Sequence, residues 1–247
     1  SPLMLFSRDL ADKLRARLEQ DAPGAYRVEL AMTYGEPSIT SAMNKLRSEN
    51  AHRLLVLPLY PQYSATTTAS VFDAVTRKLQ GVRWLPETRF VNQYHDAPAY
   101  IDALAATVRE SWAEHGRGDH LLMSFHGVPQ YTLDKGDPYF CFCSKTARLL
   151  SEALELGEDD WTMSFQSRVG REEWLRPYTD ETVQELGQKG LGRLDVISPG
   201  FATDCLETHE EIAMQNAELF TEAVAESLQY IPAQNERDEQ VELMAPR

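Results

Sequence analysis

Three cysteines in 247 residues are too few for a disulfide framework. Split as Cys141-Phe142-Cys143 and Cys205, they are also too few for a four-thiolate zinc or iron–sulfur site. They read as free thiols of a reducing compartment, and the chain is expected to be cytoplasmic. No run of about eighteen apolar residues is present, so no spanning helix is expected. No charged stretch leads into an apolar one at the start, so no secretory signal is expected. Basic residues are scarce: 24 Lys and Arg stand against 38 Asp and Glu, a formal net charge of −14. That balance disfavours nucleic acid, whose phosphates demand basic patches, and simple attraction to anionic lipid. Neither a GxGxxG fingerprint nor a P-loop occurs, and nucleotide binding has no positive support. Internal repeats and low-complexity tracts are lacking too.

What is present is an alternation of short apolar runs and helix-like segments. Strands are expected at Arg27–Tyr34, Arg53–Tyr60, Arg83–Val91, His120–Phe125, Trp161–Gln166, Leu194–Pro199 and Leu228–Pro232. Helices are expected at Leu5–Glu19, Ile39–Ser48, Thr66–Leu79, Pro98–His115, Cys143–Leu156, Thr179–Lys189, Asp204–Leu219 and Asp238–Leu243. This is the pattern of an α/β fold whose parallel sheets are buried on both faces. It suits two small doubly wound units with a cleft between them and a boundary near Asn92–Ala97. The chain runs from Ser1 almost directly into a helix, where a doubly wound unit usually begins with a strand. That first strand is expected to be missing.

His126 carries the most information. It ends the apolar run Leu121-Leu122-Met123-Ser124-Phe125 and is followed by Gly127-Val128-Pro129. A strand that stops this way sets an imidazole at its carboxyl end, where open α/β sheets bind ligands. Histidine has an unperturbed pKa near neutrality and is the commonest metal ligand, although a histidine at a strand end is more often structural. Asp204, Glu207 and Glu211 are spaced three and four apart and would share a helix face. Set opposite His126 they would take up a divalent cation and accept protons; otherwise Asp204 and Glu207 are a capping box at a helix start. Ser64 is a candidate N-cap for a helix whose N-terminus suits an anion, ordinary capping being the plainer reading. The loop Ser167–Tyr178 carries three arginines and Trp174, which either stacks on a flat aromatic ligand or plugs the loop.

Taken in order, these strings resemble the ferrochelatases, which insert ferrous iron into a porphyrin. They are Tyr60-Pro61-Gln62-Tyr63-Ser64 with Thr67-Thr68, Ser124-x-His126, and Gly136-Asp137-Pro138-Tyr139. Next come Gln166-Ser167-x-Val169-Gly170 with Trp174-Leu175-x-Pro177 and Thr179-Asp180-Glu181, and then Phe201-x-x-Asp204 with Glu207-Thr208. The form Asp204-Cys205-Leu206-Glu207-Thr208 is similar to the proteobacterial branch. The resemblance implies two Rossmann-like chelatase domains with a porphyrin cleft between them. One would comprise residues 1–91 with the returning segment 229–247, the other residues 92–228. It implies His126 and Glu207 as catalytic residues facing each other across the macrocycle, and Tyr60 and Trp174 as porphyrin contacts. His126, Glu207, Asp204 and Glu211 would be the metal-handling set. Protoporphyrin IX and ferrous iron would be substrates, with no prosthetic group and no iron–sulfur cluster. A monomer is expected, with possible peripheral membrane contact. The resemblance also implies a further N-terminal strand and loop forming one lip of the porphyrin mouth, which this chain lacks, and Thr33 stands where many relatives carry a basic residue. Two alternatives stay open: a related chelatase with another macrocycle or metal, or an inactive porphyrin-binding fragment.

Overall fold

A computed structural model describes residues 2–222 and 226–245. Among them the chain runs α1 (Pro2–Asp21), α2 (Ile39–Ser48), β1 (Arg53–Val56), α3 (Thr68–Leu79), β2 (Glu87–Phe90), α4 (Pro98–His115) and β3 (His120–His126). It continues through α5 (Gln130–Asp134), α6 (Tyr139–Ala153), β4 (Trp161–Gln166), α7 (Thr179–Gln188), β5 (Arg193–Ile197), a π-helix (Glu207–Asn216), α8 (Ala217–Glu222), β6 (Ser227–Ile231) and α9 (Asp238–Met244). All the strand pairing is parallel, in a two-stranded sheet β1-β2 and a four-stranded sheet of order β4-β3-β5-β6.

The larger sheet has a core on each face, as its apolar strands demand. Leu121, Met123 and Phe125 of β3 pack with α4 and α6, while Leu122 of the same strand joins Val183 of α7, Ile212 of the π-helix and Phe220 of α8. Burying each such side chain stabilises the fold by about 1.5–3 kcal/mol. From β3 the chain moves to β4 on one side, then crosses back to β5 on the other. The loops after β3 and β5 therefore diverge at the sheet's carboxyl edge, the place where α/β sheets open a crevice.

Two strand expectations fail against this fold. Arg27–Tyr34 forms no strand; Val28–Thr33 is half-buried while Arg27 and Tyr34 are exposed, and its pairing is a single bridge from Met32 to Ser38 closed by Met32 N–H donating to the Pro37 carbonyl. Without a neighbouring ladder, β propensity alone does not make a strand. The strands expected over 53–60 and 83–91 are shorter, because Pro58 and Pro86 lack the N–H that a ladder requires. Residues 227–231 complete the larger sheet beside β5, and α9 packs against α1 and α4.

Candidate active site

The register of β3 on β4 pairs His126 with Gln166, so both strands end together at the crevice. Beneath them lies a buried polar network. Ser124 Oγ donates to Gln166 Oε1 at 2.8 Å, and Thr179 Oγ1 at the start of α7 meets Ser124 Oγ at 2.8 Å and Ser164 Oγ at 2.9 Å. Gln166 Nε2 in turn donates to the carbonyl of Glu207 at 3.3 Å. Buried networks of this kind fix side chains in one arrangement, which accounts for the residue types in Ser124-x-His126 and Gln166-Ser167.

His126 is half-buried. Its Nδ1 lies 2.7 Å from the Gly127 carbonyl, which can only accept, so Nδ1 carries the hydrogen and the neutral ring presents Nε2 as an acceptor. Nε2 has no protein partner among the described residues. The His126 carbonyl is held by the buried Tyr139 hydroxyl at 2.8 Å, and Phe201, from the loop after β5, lies 6.2 Å from the imidazole between ring centres. Glu207, at the start of the π-helix, is exposed and lies within electrostatic reach of His126. Desolvation works to raise its pKa, but hydrogen bonds from the Cys205 thiol and from its own backbone N–H, together with His126, outweigh it and leave the carboxyl below its ordinary value. The Cys205 thiol beside it is pushed up to about 12, chiefly by burial.

The other two acids go elsewhere. Asp204 precedes the helix and is almost fully buried. Its carboxylate accepts from Tyr230 Oη at 2.6 Å, Asn235 Nδ2 at 2.7 Å and Thr208 Oγ1 at 3.0 Å. Tyr230 is raised well above the ordinary tyrosine value by burial and by that carboxylate. Glu211 accepts from Ser167, at 2.6 Å from its N–H and 2.5 Å from its Oγ. Asp204, Glu207 and Glu211 thus do not converge on one face. Among the described residues no group of three or more His, Cys, Asp or Glu side chains is placed to hold a metal ion. The expected α-helix over this segment is a π-helix. Its buried residues are Thr208, Ile212 and Asn216.

On the opposite wall Tyr60 is 37% exposed, and its hydroxyl is raised above the ordinary value by burial and by the nearby Tyr34 and Glu207, against a lowering hydrogen bond with Thr33. Its neighbours in the motif are tethers. Gln62, buried, donates to Thr146 Oγ1 of α6 at 3.0 Å. Asp137 Oδ2 accepts from Ser64 Oγ at 2.9 Å and from Ala65 N–H at 2.8 Å, while its Oδ1 accepts from Tyr139 N–H at 3.0 Å. Helix α3 begins at Thr68 with Thr67 at the cap position, so Ser64 is not its N-cap. An anion does sit at the turn leading into that helix, but it is the chain's own Asp137. Composition and spacing did not single out Asp137, Tyr139 or Gln166 as site-forming; each stands inside a motif string, and that was the available signal.

Trp174 is half-buried against Gly127. A Cβ at Gly127 would stand 2.9 Å from the Gln166 carbonyl and 3.1 Å from Trp174 Cε3, so glycine is what allows the indole to reach the strand ends. Trp174 Nε1 donates to the Val169 carbonyl at 3.0 Å, which ties the loop to itself. Cys143 and Cys205 are buried and Cys141 is exposed; all three are free thiols. No described helix is long and apolar enough to cross a membrane.

The chain is similar to known proteins along its length. The ferrochelatase family model matches residues 1–247. The ferrochelatase of Thioalkalivibrio sulfidiphilus is 53% identical over 245 residues, covering 99% of this chain and 66% of its own length. That of Nitrosococcus oceani is 52% identical, covering 96% and 64%, and that of Vibrio cholerae is 50% identical, covering 99% and 75%. The chain thus spans just under two thirds of the first two relatives. Among solved structures, SirB from Bacillus subtilis with Fe3+ superposes with a TM-score of 0.67 at 13% identity, covering 98% of this chain and 88% of that one. CbiX, described as the terminal enzyme of siroheme biosynthesis in denitrifying bacteria, superposes at 0.60 with 16% identity, covering 100% and 95%. At those identities the likeness speaks for the fold, a Rossmann-like chelatase architecture. The sequence matches speak for kinship, and the chain belongs to the ferrochelatase family.

Proposed function

We propose that this chain carries the machinery that inserts ferrous iron into protoporphyrin IX to form protoheme. The observation that supports this most is the pairing of His126, with Nε2 free to accept, and Glu207, kept ionised, at one crevice bordered by Tyr60 and Trp174. Insertion replaces the two pyrrole N–H protons of the free base by Fe2+ and releases two protons. His126 Nε2 is the base that takes a pyrrole proton as the macrocycle nitrogen turns its lone pair to the metal. Glu207 supplies negative charge on the other side, where the dication approaches. Trp174 and Tyr60 press on the ring, and binding energy from the rest of the macrocycle supplies the bending that exposes a nitrogen. Iron is substrate here, and no iron–sulfur cluster or other prosthetic group enters the reading. Asp204 acts as an internal tie between the π-helix and β6, not as a ligand. The working unit is a monomer in the cytoplasm, its membrane contact at most peripheral.

An anaerobic assay of the 247-residue chain with protoporphyrin IX and Fe2+ tests the reading, following loss of porphyrin fluorescence and gain of heme absorption. Heme formation supports it. A Soret shift without insertion identifies a porphyrin-binding fragment, and faster turnover of coproporphyrin or sirohydrochlorin reassigns the substrate.

A further inference from the structure

Glu211 has the residue type of a metal ligand and the position of one, four residues beyond Glu207. Each oxygen of its carboxylate nevertheless already has a partner. One oxygen accepts from the Ser167 backbone N–H at 2.6 Å and the other from Ser167 Oγ at 2.5 Å. Glu211 is fixed from behind as well, since the buried Asn216 Nδ2 donates to its carbonyl at 2.7 Å. Ser167 has a φ of +66°, a left-handed conformation that costs a non-glycine residue free energy unless its surroundings enforce it. Both of its donors aim at a single carboxylate, and that carboxylate is what enforces it.

Ser167 is the first residue after β4, and a short path leads from it to Trp174. Arg168 is pinned to α7 through Asp180 at 2.6 Å and Glu181 at 3.0 Å, with its guanidinium 4.2 Å from the Tyr178 ring centre. Val169 comes next, and its carbonyl receives the Trp174 indole N–H at 3.0 Å. The atom that orients Trp174 therefore stands only two residues beyond the Glu211 contact, and Trp174 lies against Gly127 beside His126. Residues 168–173 are otherwise exposed.

We propose that Glu211 and Ser167 form a latch, in which Glu211 is a positioning residue that seats the Trp174 loop and thereby shapes the porphyrin side of the crevice, not the metal side. The part of this concerning porphyrin rests on the functional reading above. The latch needs two hydrogen bonds and no charge: a glutamine at 211 offers Oε1 to the Ser167 N–H and Nε2 to its Oγ. A group that delivered iron or carried protons would need the carboxylate.

The test compares Glu211→Ala and Glu211→Gln in the full 247-residue chain, with two readouts. The first is limited trypsin cleavage at Arg168 and Arg171. Removing two hydrogen bonds to a charged acceptor is expected to speed it about tenfold or more in Glu211→Ala, with Glu211→Gln close to the parent. The second is steady-state kinetics, in which Glu211→Ala is expected to raise the KM for protoporphyrin IX about tenfold and that for Fe2+ less than about twofold, again with recovery in Glu211→Gln. Unchanged cleavage in Glu211→Ala overturns the latch, as does an equal defect in the two variants or a rise confined to the KM for Fe2+. Should the parent chain neither bind nor metallate protoporphyrin, the functional reading fails on its own, and the cleavage comparison still decides whether the latch exists.

Discussion

The two walls of the crevice are built to different standards. His126 and Gln166 end neighbouring strands of a four-stranded sheet in which His126's own strand is buried almost to its end, and a polar network ties Gln166 to Ser124 and to the carbonyl of Glu207. Tyr60 follows the first strand of a two-stranded sheet in which every other residue is exposed, among them Leu55 on β1. The first wall is held by its own core; the second takes its position from tethers, with Asp137 gripping Ser64 and Ala65 and Gln62 gripping Thr146. Proton transfer tolerates little misplacement, whereas pressing on a flat ring tolerates more. Under the proposed function the stiff wall is assigned the chemistry, and the tethered wall shares with Trp174 the contact with the macrocycle.

The sharpest way to break this division is His126→Ala. Loss of a positioned base is expected to lower metal insertion by about 10²–10⁴-fold while porphyrin affinity, measured by fluorescence quenching, changes little. If affinity falls in step with turnover, the stiff wall is a binding surface and the division fails. Glu207→Gln comes next, with an expected loss of about a hundredfold in turnover. Because its carboxyl is held below the ordinary glutamate value, Glu207 stays ionised as pH falls through that value and gains its proton only below it. The part of the acid limb that belongs to Glu207, apart from the loss that protonation of the His126 base brings, therefore lies under the ordinary range and is absent from Glu207→Gln. A component there that persists in Glu207→Gln belongs to another group.

Asp137→Ala tests the tethered wall. It strips the buried Ser64 hydroxyl and the Ala65 N–H of their acceptor, for an expected loss of about 1–3 kcal/mol in stability. In kinetics the KM for porphyrin is expected to rise about tenfold with kcat nearly unchanged, the reverse of His126→Ala. A fall in kcat alone, with the KM for porphyrin unchanged, is the outcome that counts against the tether.

Much of the stiff wall was legible in the sequence, and less of the tethered one. An apolar run ending in His126-Gly127 is local information, and β3 ends where that pattern stops. The strand expected at Arg27–Tyr34 failed because pairing depends on a neighbour the segment itself does not encode. Asp204, Glu207 and Glu211 have α-helical spacing, and the structure separates them because the helix starts after Asp204 and winds as a π-helix. Asp137 illustrates the remaining limit: its partners lie more than seventy residues away in sequence, and no spacing rule reaches that far.

The seam between the walls offers the smallest and most specific effect. Residues 92–97 join the two sheets, and within them His95 is 2% exposed, stacked on Phe142 at 3.9 Å, with no partner for either ring nitrogen among the described residues. The charged groups facing it are Asp96, 4.0 Å from Nδ1, and Lys145 of α6, itself paired to Asp96 at 2.5 Å. Burial lowers the His95 pKa from its ordinary 6.5; Asp96 works against that and Lys145 with it. The unfolded chain therefore takes up this proton first as pH falls. The folded state loses stability as pH drops from the ordinary value toward the lowered one, and the contribution is complete above 6.5. His95→Phe keeps the stack on Phe142 and removes the proton. Its urea midpoint is expected to decline less steeply than the parent's between about pH 7 and pH 5. Parallel slopes make His95 a bystander. A shallower slope in the variant shows that the joint between the stiff and the tethered wall is itself held by an uncharged imidazole.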